Sequence, residues 1–104
     1  MLREETWINL RGEITALEAG ALKQEITETI LSRPCECLVL NLARVPFIDS
    51  AGLSVLVSAN KTMRRIGGTV QLYGLQPRVE AVLEVTRLRE MFEIYEGQPP
   101  AVAS

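Results

Sequence analysis

The stretch that decides the fold runs from Val45 to Leu53 and reads Val-Pro-Phe-Ile-Asp-Ser-Ala-Gly-Leu. It follows an apolar run typical of a buried strand and leads into a run with helical spacing, which predicts a strand-to-helix junction. Asp49 and Ser50 fall in the first turn of that helix, where backbone N–H groups lack partners and negative charge is favoured. A hydroxyl there is well placed to carry a phosphate. The structural alternative is that Asp49 caps the helix, Ser50 is an ordinary first-turn residue and Gly52 allows close packing.

The elements on either side of this junction predict a strand, helix, strand unit. Leu38–Leu42 is a nearly continuous apolar run, typical of a central strand covered on both faces. After the junction, helical spacing continues to Ile66, and two glycines then end the helix. Thr69–Tyr73 is the next strand, and it is parallel to Leu38–Leu42 because a helix connects the two. The apolar positions of the helix are Leu53, Leu56, Val57, Met63 and Ile66, with Arg64 and Arg65 at its C-terminal end.

The N-terminal part predicts a strand over residues 6–11, preceded by a frayed lead-in or short edge strand at Met1–Glu5. Leu17–Leu31 has the spacing of an amphipathic helix, with Thr15 as N-cap and Glu18 as its capping-box acid. Ser32, Arg33 and Pro34 end this helix. Its predicted buried face contains Leu17, Ala21, Leu22, Ile26, Ile30 and Leu31.

The C-terminal part predicts a short helix, a turn and a last strand. The helix runs from about Gln76 to Val85, with Pro77 in its first turn and Val79, Val82 and Leu83 buried. A turn at residues 87–89 and a strand at 91–95 follow, and residues 97–104 have the composition of a flexible tail. The fold class is therefore α/β, a single domain over residues 1–96. We expect a mixed sheet of about four strands with helices packed against it and the first strand antiparallel to its neighbour.

Composition excludes several classes of function. The 104 residues hold 11 basic and 13 acidic side chains, scattered enough to argue against nucleic-acid binding, and no apolar run is long enough for a membrane span. We therefore expect a cytoplasmic protein. Histidine is absent, so the usual general base and metal ligand are missing, and no nucleotide-binding motif is present. We predict no catalytic activity, no metal and no cofactor. For Cys35 and Cys37 we expect one buried thiol and one near the surface, without a disulfide between them.

Three features together resemble a known family. The first is the run from Leu38–Leu42 through Val45 and then Phe47-Ile48-Asp49-Ser50-Ala51-Gly52-Leu53. The second is Gly12-Glu13-Ile14 after the first clear strand, and the third is Gly67-Gly68 before a strand, followed by Gly74 and a short helix. The whole chain resembles the STAS domain, in particular the bacterial anti-sigma factor antagonists.

The resemblance implies a phosphorylation-controlled binding module. In this family the serine after the aspartate, here Ser50, is phosphorylated by a partner that is both anti-sigma factor and serine kinase. Only the unphosphorylated form binds that partner, and a phosphatase is a further candidate partner. Thr15 stands where the family often has an acidic residue. The implied partner-binding residues are Thr15, Ile48, Asp49, Ser50, Ala51, Gly52 and Leu53.

Two alternatives to this function remain from the sequence. In the first, the domain is a scaffold subunit of a lipid-transport or stress-sensing assembly, and Ser50 is not phosphorylated. In the second, it is a partner switch that regulates something other than transcription. Phe47 is expected in the core rather than at a contact, whereas Ile48 and Leu53 fit either role.

Overall fold

The computed structural model describes residues 4–96, in which strands and helices alternate along the chain. Each predicted element is present, with ends close to the predicted ones. Two predictions lie outside the described residues: the flexible tail at 97–104, and all of the lead-in before Glu4. The elements are β1 (Glu5–Arg11), α1 (Ala16–Ser32), β2 (Cys37–Arg44), α2 (Ser50–Arg65), β3 (Thr69–Tyr73), α3 (Pro77–Val85), a 3-10 helix (Leu88–Met91) and β4 (Glu93–Ile94).

The strands form one sheet in the order β1-β2-β3-β4, and each pairing between these strands is parallel. The prediction of a single α/β domain with about four strands is confirmed. The predicted mixed sheet with an antiparallel first strand is wrong. The reason is α1, whose 17 residues carry the chain back across the sheet, so that Cys37 at the start of β2 pairs with Glu5 at the start of β1. A crossover of this kind makes neighbouring strands parallel.

The central position of β2 places its apolar residues at the middle of the core, as predicted. Leu38, Leu40 and Leu42 have no exposed surface, and they share one hydrophobic core with buried residues of all three α-helices. Because the strands are parallel and a helix follows each of the first three, these helices all begin at the carboxyl edge of the sheet. Sites in open α/β sheets form at this edge.

The opposite face of the sheet carries an aromatic cluster formed by Trp7, Tyr73 and Tyr95. The Trp7 ring centroid lies 4.9 Å from that of Tyr95 and 5.4 Å from that of Tyr73, in edge-to-face geometry. Val39 lies on this face, in register with Trp7 and Gln71, and it is completely buried. The central strand is therefore covered on both faces, as predicted.

The helix starts agree with the predicted caps, but the buried faces differ in part. Thr15 and Glu18 form the capping box of α1, Asp49 caps α2, and Pro77 opens α3. However, Leu17 is 91% exposed and Leu31 is 61% exposed. Helix α1 packs mainly against α2, and its fully buried residues are only Ala19, Ile26 and Ile30. Five further residues predicted on buried faces remain partly or largely exposed: Ala21, Leu22, Val57, Ile66 and Val82.

The two cysteines follow the prediction, since Cys37 is buried, Cys35 is half-buried and neither forms a disulfide bond. None of the helices that residues 4–96 form is both long and apolar enough to cross a membrane.

Candidate functional site

The stretch from Val45 to Leu53 connects β2 to α2, and the loop between β1 and α1 lies against it. Ile14 forms a parallel bridge with Ile48. The Ile14 N–H donates to the Phe47 carbonyl at 3.1 Å, and the Asp49 N–H donates to the Ile14 carbonyl at 3.3 Å. Because these hydrogen bonds join the two loops, the N-termini of α1 and α2 are held side by side.

The Asp49 carboxylate binds the first turns of both helices. Its Oδ1 accepts from the Gly52 N–H at 2.9 Å, which caps α2, and its Oδ2 accepts from the Ala16 N–H at 3.2 Å in α1. First-turn amides have no intrahelical partner, and both helix dipoles favour a negative charge at this point. The predicted capping role is confirmed. The contact with α1 escaped sequence reasoning because it joins residues 33 positions apart.

Ser50 is the first residue of α2, and it is exposed. Within the described range, 4–96, its hydroxyl makes no hydrogen bond. Ser54, one turn later, is different because its Oγ donates to the Ala51 carbonyl at 2.7 Å and the residue is only partly exposed. The Ser50 hydroxyl is therefore accessible and bonds to no residue of the part of the chain that the structure describes.

Gly52 allows the close approach between the two loops. A Cβ atom added at Gly52 would overlap the carbonyl oxygen of Ile14 and lie 2.9 Å from the Ile48 Cβ. The first obstacle is backbone, which cannot rotate away as a side chain can. A side chain at position 52 would therefore push the start of α2 away from the loop that carries Thr15.

Glu18, which binds Thr15, supplies a second carboxylate that interacts with the charge of Asp49. The Glu18 Oε2 accepts from the Thr15 hydroxyl at 2.8 Å and from the Thr15 N–H at 3.1 Å. These hydrogen bonds lower the pKa of Glu18 below its ordinary value of 4.5, and the bond from the Thr15 hydroxyl has the larger effect. The charge of Asp49 opposes the shift. Sequence reasoning treated Glu18 only as a capping residue. The same Thr-x-x-Glu spacing that identified the cap also places this negative charge beside Thr15.

The other predicted site residues differ in how deeply they are buried. Ala51 is half-buried, whereas Ile48 has no exposed surface and Leu53 is 7% exposed. Ile48, Leu53 and the buried Gly52 therefore act from within the core by holding the loop in place. The surface of the site consists of Thr15, Asp49, Ser50 and Ala51.

Phe47 departs from the expectation that it lies in the core. Its ring is partly exposed, and the Arg78 guanidinium carbon lies 4.6 Å from the ring centroid. Arg78 belongs to α3, which also reaches the junction through its cap, because the Gln76 Nε2 donates to the Ala43 carbonyl at 2.8 Å. A cation over an aromatic ring is a favourable contact, and here it joins the start of α3 to the loop before Ser50.

Over residues 4–96, the structure contains no group of three His, Cys, Asp or Glu side chains that would hold a metal ion. Asp49 and Glu18 instead use their oxygens to bind backbone amides and a hydroxyl.

Comparison with known proteins identifies the domain. The family profile of the STAS domain matches residues 3–98. The chain belongs to the STAS domain family. Within this family it is 33% identical to the anti-sigma-B factor antagonist of Listeria monocytogenes over 87 residues, which cover 84% of this chain and 75% of the relative. It is 28% identical to the anti-sigma F factor antagonist of Paenibacillus polymyxa over 95 residues, covering 91% of this chain and 81% of the relative.

The fold of this STAS domain also agrees with solved structures of the family. A crystal structure of an anti-sigma factor antagonist from Mycobacterium paratuberculosis superposes with a TM-score of 0.77 at 26% identity. The alignment covers 92% of this chain and 84% of that protein.

Proposed function

We propose that this chain is an anti-sigma factor antagonist whose binding is controlled by phosphorylation of Ser50. In this proposal, the unphosphorylated domain sequesters an anti-sigma factor that is also a serine kinase, and the phosphorylated domain releases it. The observation that carries the proposal is the exposed hydroxyl of Ser50 at the first turn of α2, which bonds to no residue within 4–96. Relatives named as anti-sigma factor antagonists support the choice of partner.

The proposed recognition surface combines the starts of two helices. Thr15 belongs to the start of α1, and Asp49, Ser50 and Ala51 belong to the start of α2. Because Asp49 hydrogen-bonds to both helices, a partner that covers Ser50 meets a surface with little freedom to move. A preorganised surface loses less entropy when it binds.

Phosphorylation should change the surface charge without unfolding the domain. A phosphate at Ser50 adds a charge of about −1.5 to −2 at pH 7. The helix dipole favours this charge by about 0.3–1 kcal/mol. The neighbouring carboxylates of Asp49 and Glu18 oppose it, so the two effects partly cancel in the free protein.

In the complex, the same phosphate has a larger effect. A dianion buried without a partner costs several kcal/mol, and about 1.4 kcal/mol already corresponds to a tenfold change in affinity. One phosphate is therefore enough to prevent binding. The proposal makes the chain a binding module rather than an enzyme, since its histidine-free sequence offers Ser50 no usual general base. A regulator of this kind would work in the cytoplasm, where transcription takes place, and a phosphatase would reset it.

The test is to incubate the protein with ATP and candidate kinases of the anti-sigma type, and to map any phosphate by mass spectrometry. We expect a phosphate on Ser50 and none on the Ser50→Ala variant. Ser54→Ala is the matched control, because Ser54 lies on the same helix with its hydroxyl already hydrogen-bonded. Lack of modification at Ser50 by any such kinase would contradict the phosphorylation step.

Binding provides a separate test. We expect Ser50→Asp to weaken the complex with the anti-sigma factor by at least about tenfold, since it places a fixed negative charge in the interface. Ser50→Ala should still bind. Equal affinity for the Ser50→Asp and wild-type proteins would show that Ser50 does not control the complex. Recovery from the native host of a stable complex with transporter subunits and no anti-sigma factor would favour the scaffold alternative instead.

A further inference from the structure

The outer edge of β1 is unpaired among residues 4–96. β1 is an end strand of the sheet. The Cys37 N–H donates to the Glu4 carbonyl at 3.1 Å. Backbone groups alternate in direction along a strand, so the N–H and C=O groups of even-numbered residues point to β2, and those of Trp7 and Asn9 point outward. These outward groups can pair with another strand.

An open groove of about 500 Å³ lies beside this edge, between β1 and α1. The apolar part of its lining is formed by Ile8 and Leu10 of β1 and by Leu17 and Leu22 of α1. Leu10 is nearly buried, but Ile8 and Leu22 are half-exposed and Leu17 is 91% exposed. A strand added to the outer edge of β1 would direct alternate side chains into this groove.

The charges around the groove are mostly negative. Among residues 4–96, three carboxylates line it, those of Glu13, Glu18 and Glu25, against the single guanidinium of Arg11. Hydrogen bonds from Thr15 lower the pKa of Glu18, so that this carboxylate is charged at neutral pH. The groove therefore favours an occupant with basic side chains.

The groove is continuous with the Ser50 site. Ile14 lines the groove and forms the bridge with Ile48, two residues before Ser50. Glu18 also lines the groove, and it accepts a hydrogen bond from Thr15 on the proposed recognition surface. A protein bound over Ser50 thus reaches the groove without crossing other elements.

We propose that the protein that binds at Ser50 also adds an extended segment to the outer edge of β1. The segment pairs with the outward backbone groups of Trp7 and Asn9, inserts apolar side chains into the groove and carries lysine or arginine residues that face Glu25. This inference rests on the proposed function for the identity of the partner. It adds a second contact surface to that function, and it gives the chemistry of the segment that binds there.

A second copy of the chain fits this edge less well. Pairing β1 with β1 of another copy would bring together two grooves that both carry mostly negative charge. Like charges on facing surfaces oppose association. The charge of the groove therefore favours a basic partner over self-association.

The first test blocks the backbone of the edge. Asn9→Pro removes an N–H that points away from β2, a change that edge strands tolerate. It also removes the hydrogen bond that the Asn41 Nδ2 donates to the Asn9 Oδ1. Asn9→Ala is the matched control because it loses the same side-chain hydrogen bond and keeps the N–H. We expect Asn9→Pro to weaken binding of the anti-sigma factor by at least about tenfold relative to Asn9→Ala.

The second test reverses one charge. We expect Glu25→Lys to weaken binding by about three- to tenfold and to reduce its dependence on salt. Glu28→Lys is the control, because it makes the same charge change on the same helix outside the groove lining. If Asn9→Pro fails to fold, hydrogen exchange of the wild-type complex replaces it. The amides of Trp7 and Asn9 should then become protected when the partner binds.

The outcomes separate the two proposals. If the anti-sigma factor does not bind the wild-type protein, the proposed function fails and this inference fails with it. If it binds in a manner sensitive to Ser50→Asp, but each variant matches its control and the edge amides stay unprotected, only the inference fails. A dimer of the protein alone by sedimentation, lost in Asn9→Pro and kept in Asn9→Ala, would also overturn it, because a second copy would then occupy the edge.

Discussion

Gly52 is the position where added volume should disturb the candidate site most. An alanine there places its Cβ against the Ile14 carbonyl oxygen and 2.9 Å from the Ile48 Cβ. Overpacking of this kind costs about 1–3 kcal/mol. We therefore expect Gly52→Ala to lower the melting temperature, since about 1 kcal/mol corresponds to about 4–8 °C in a domain of this size.

Gly20 provides the matched control for this prediction. It lies in α1, and an added Cβ meets nothing within 4 Å. Gly20→Ala should stabilise the protein by about 0.5–1 kcal/mol, because alanine restricts the unfolded chain more than glycine does. Urea unfolding measures both changes. Equal effects of the two substitutions would contradict the close approach at Gly52.

Ser50 and Asp49 should differ in their importance for stability, although they are neighbours. Ser50→Ala removes an exposed hydroxyl that bonds to no described residue, so the change should lie within about 0.5 kcal/mol. Asp49→Ala removes the cap of α2 and the contact with α1. Loss of a cap alone costs about 0.5–2 kcal/mol. If Ser50→Ala proved as destabilising as Asp49→Ala, Ser50 would be a structural residue.

At the scale of the element, the stability of the start of α1 should depend on pH. The hydrogen bonds from Thr15 lower the pKa of Glu18 below 4.5 in the folded protein. A lowered pKa means that the carboxylate stabilises the fold above about pH 4.5, and that this contribution is lost as the pH falls through the folded pKa. Glu18→Gln should therefore reduce the acid dependence of stability.

The measurement for this prediction is unfolding of both proteins between pH 3 and pH 7, with the Thr15 amide followed by NMR. The wild-type amide signal should move as Glu18 gains its proton, and this movement should be absent in Glu18→Gln. Glu28→Gln is the control, because it removes a carboxylate from the same helix away from the cap. If the Thr15 signal moved as much in Glu18→Gln as in the wild type, the capping contact would not be the cause of the movement.

At the scale of the whole molecule, the aromatic cluster connects distant strands across the outer face of the sheet. Tyr95 contacts both Trp7 from β1 and Tyr73 from β3. Each aromatic pair contributes about 0.5–1.5 kcal/mol beyond its buried area, so Tyr95→Ala should cost at least about 1–3 kcal/mol. Tyr95→Phe keeps the ring and should change the free energy of unfolding little. Circular dichroism in urea compares the variants, and a neutral Tyr95→Ala would show that the cluster is not needed for stability.

Much of this molecule was determined by local sequence. The strands and helices follow from the periods of their apolar residues, and the caps follow from short-range spacing: Thr15 with Glu18, Asp49 with Gly52, and Pro77 at a helix start. These signals act within one turn of chain, so the sequence alone contains them. The hydroxyl of Ser50 at a helix start belongs to the same class, because only the adjacent residues are needed to place it.

The tertiary structure decided what depends on contacts between distant parts of the chain. The parallel direction of β1 depends on how α1 crosses the sheet, and the exposure of Leu17 and Leu31 depends on how little of that helix meets the core. The double role of Asp49 exists only because the loop that carries Ala16 lies beside it. Helical spacing identifies an apolar stripe but contains no information about what covers it. Packing therefore decided which residues around Ser50 reach the surface.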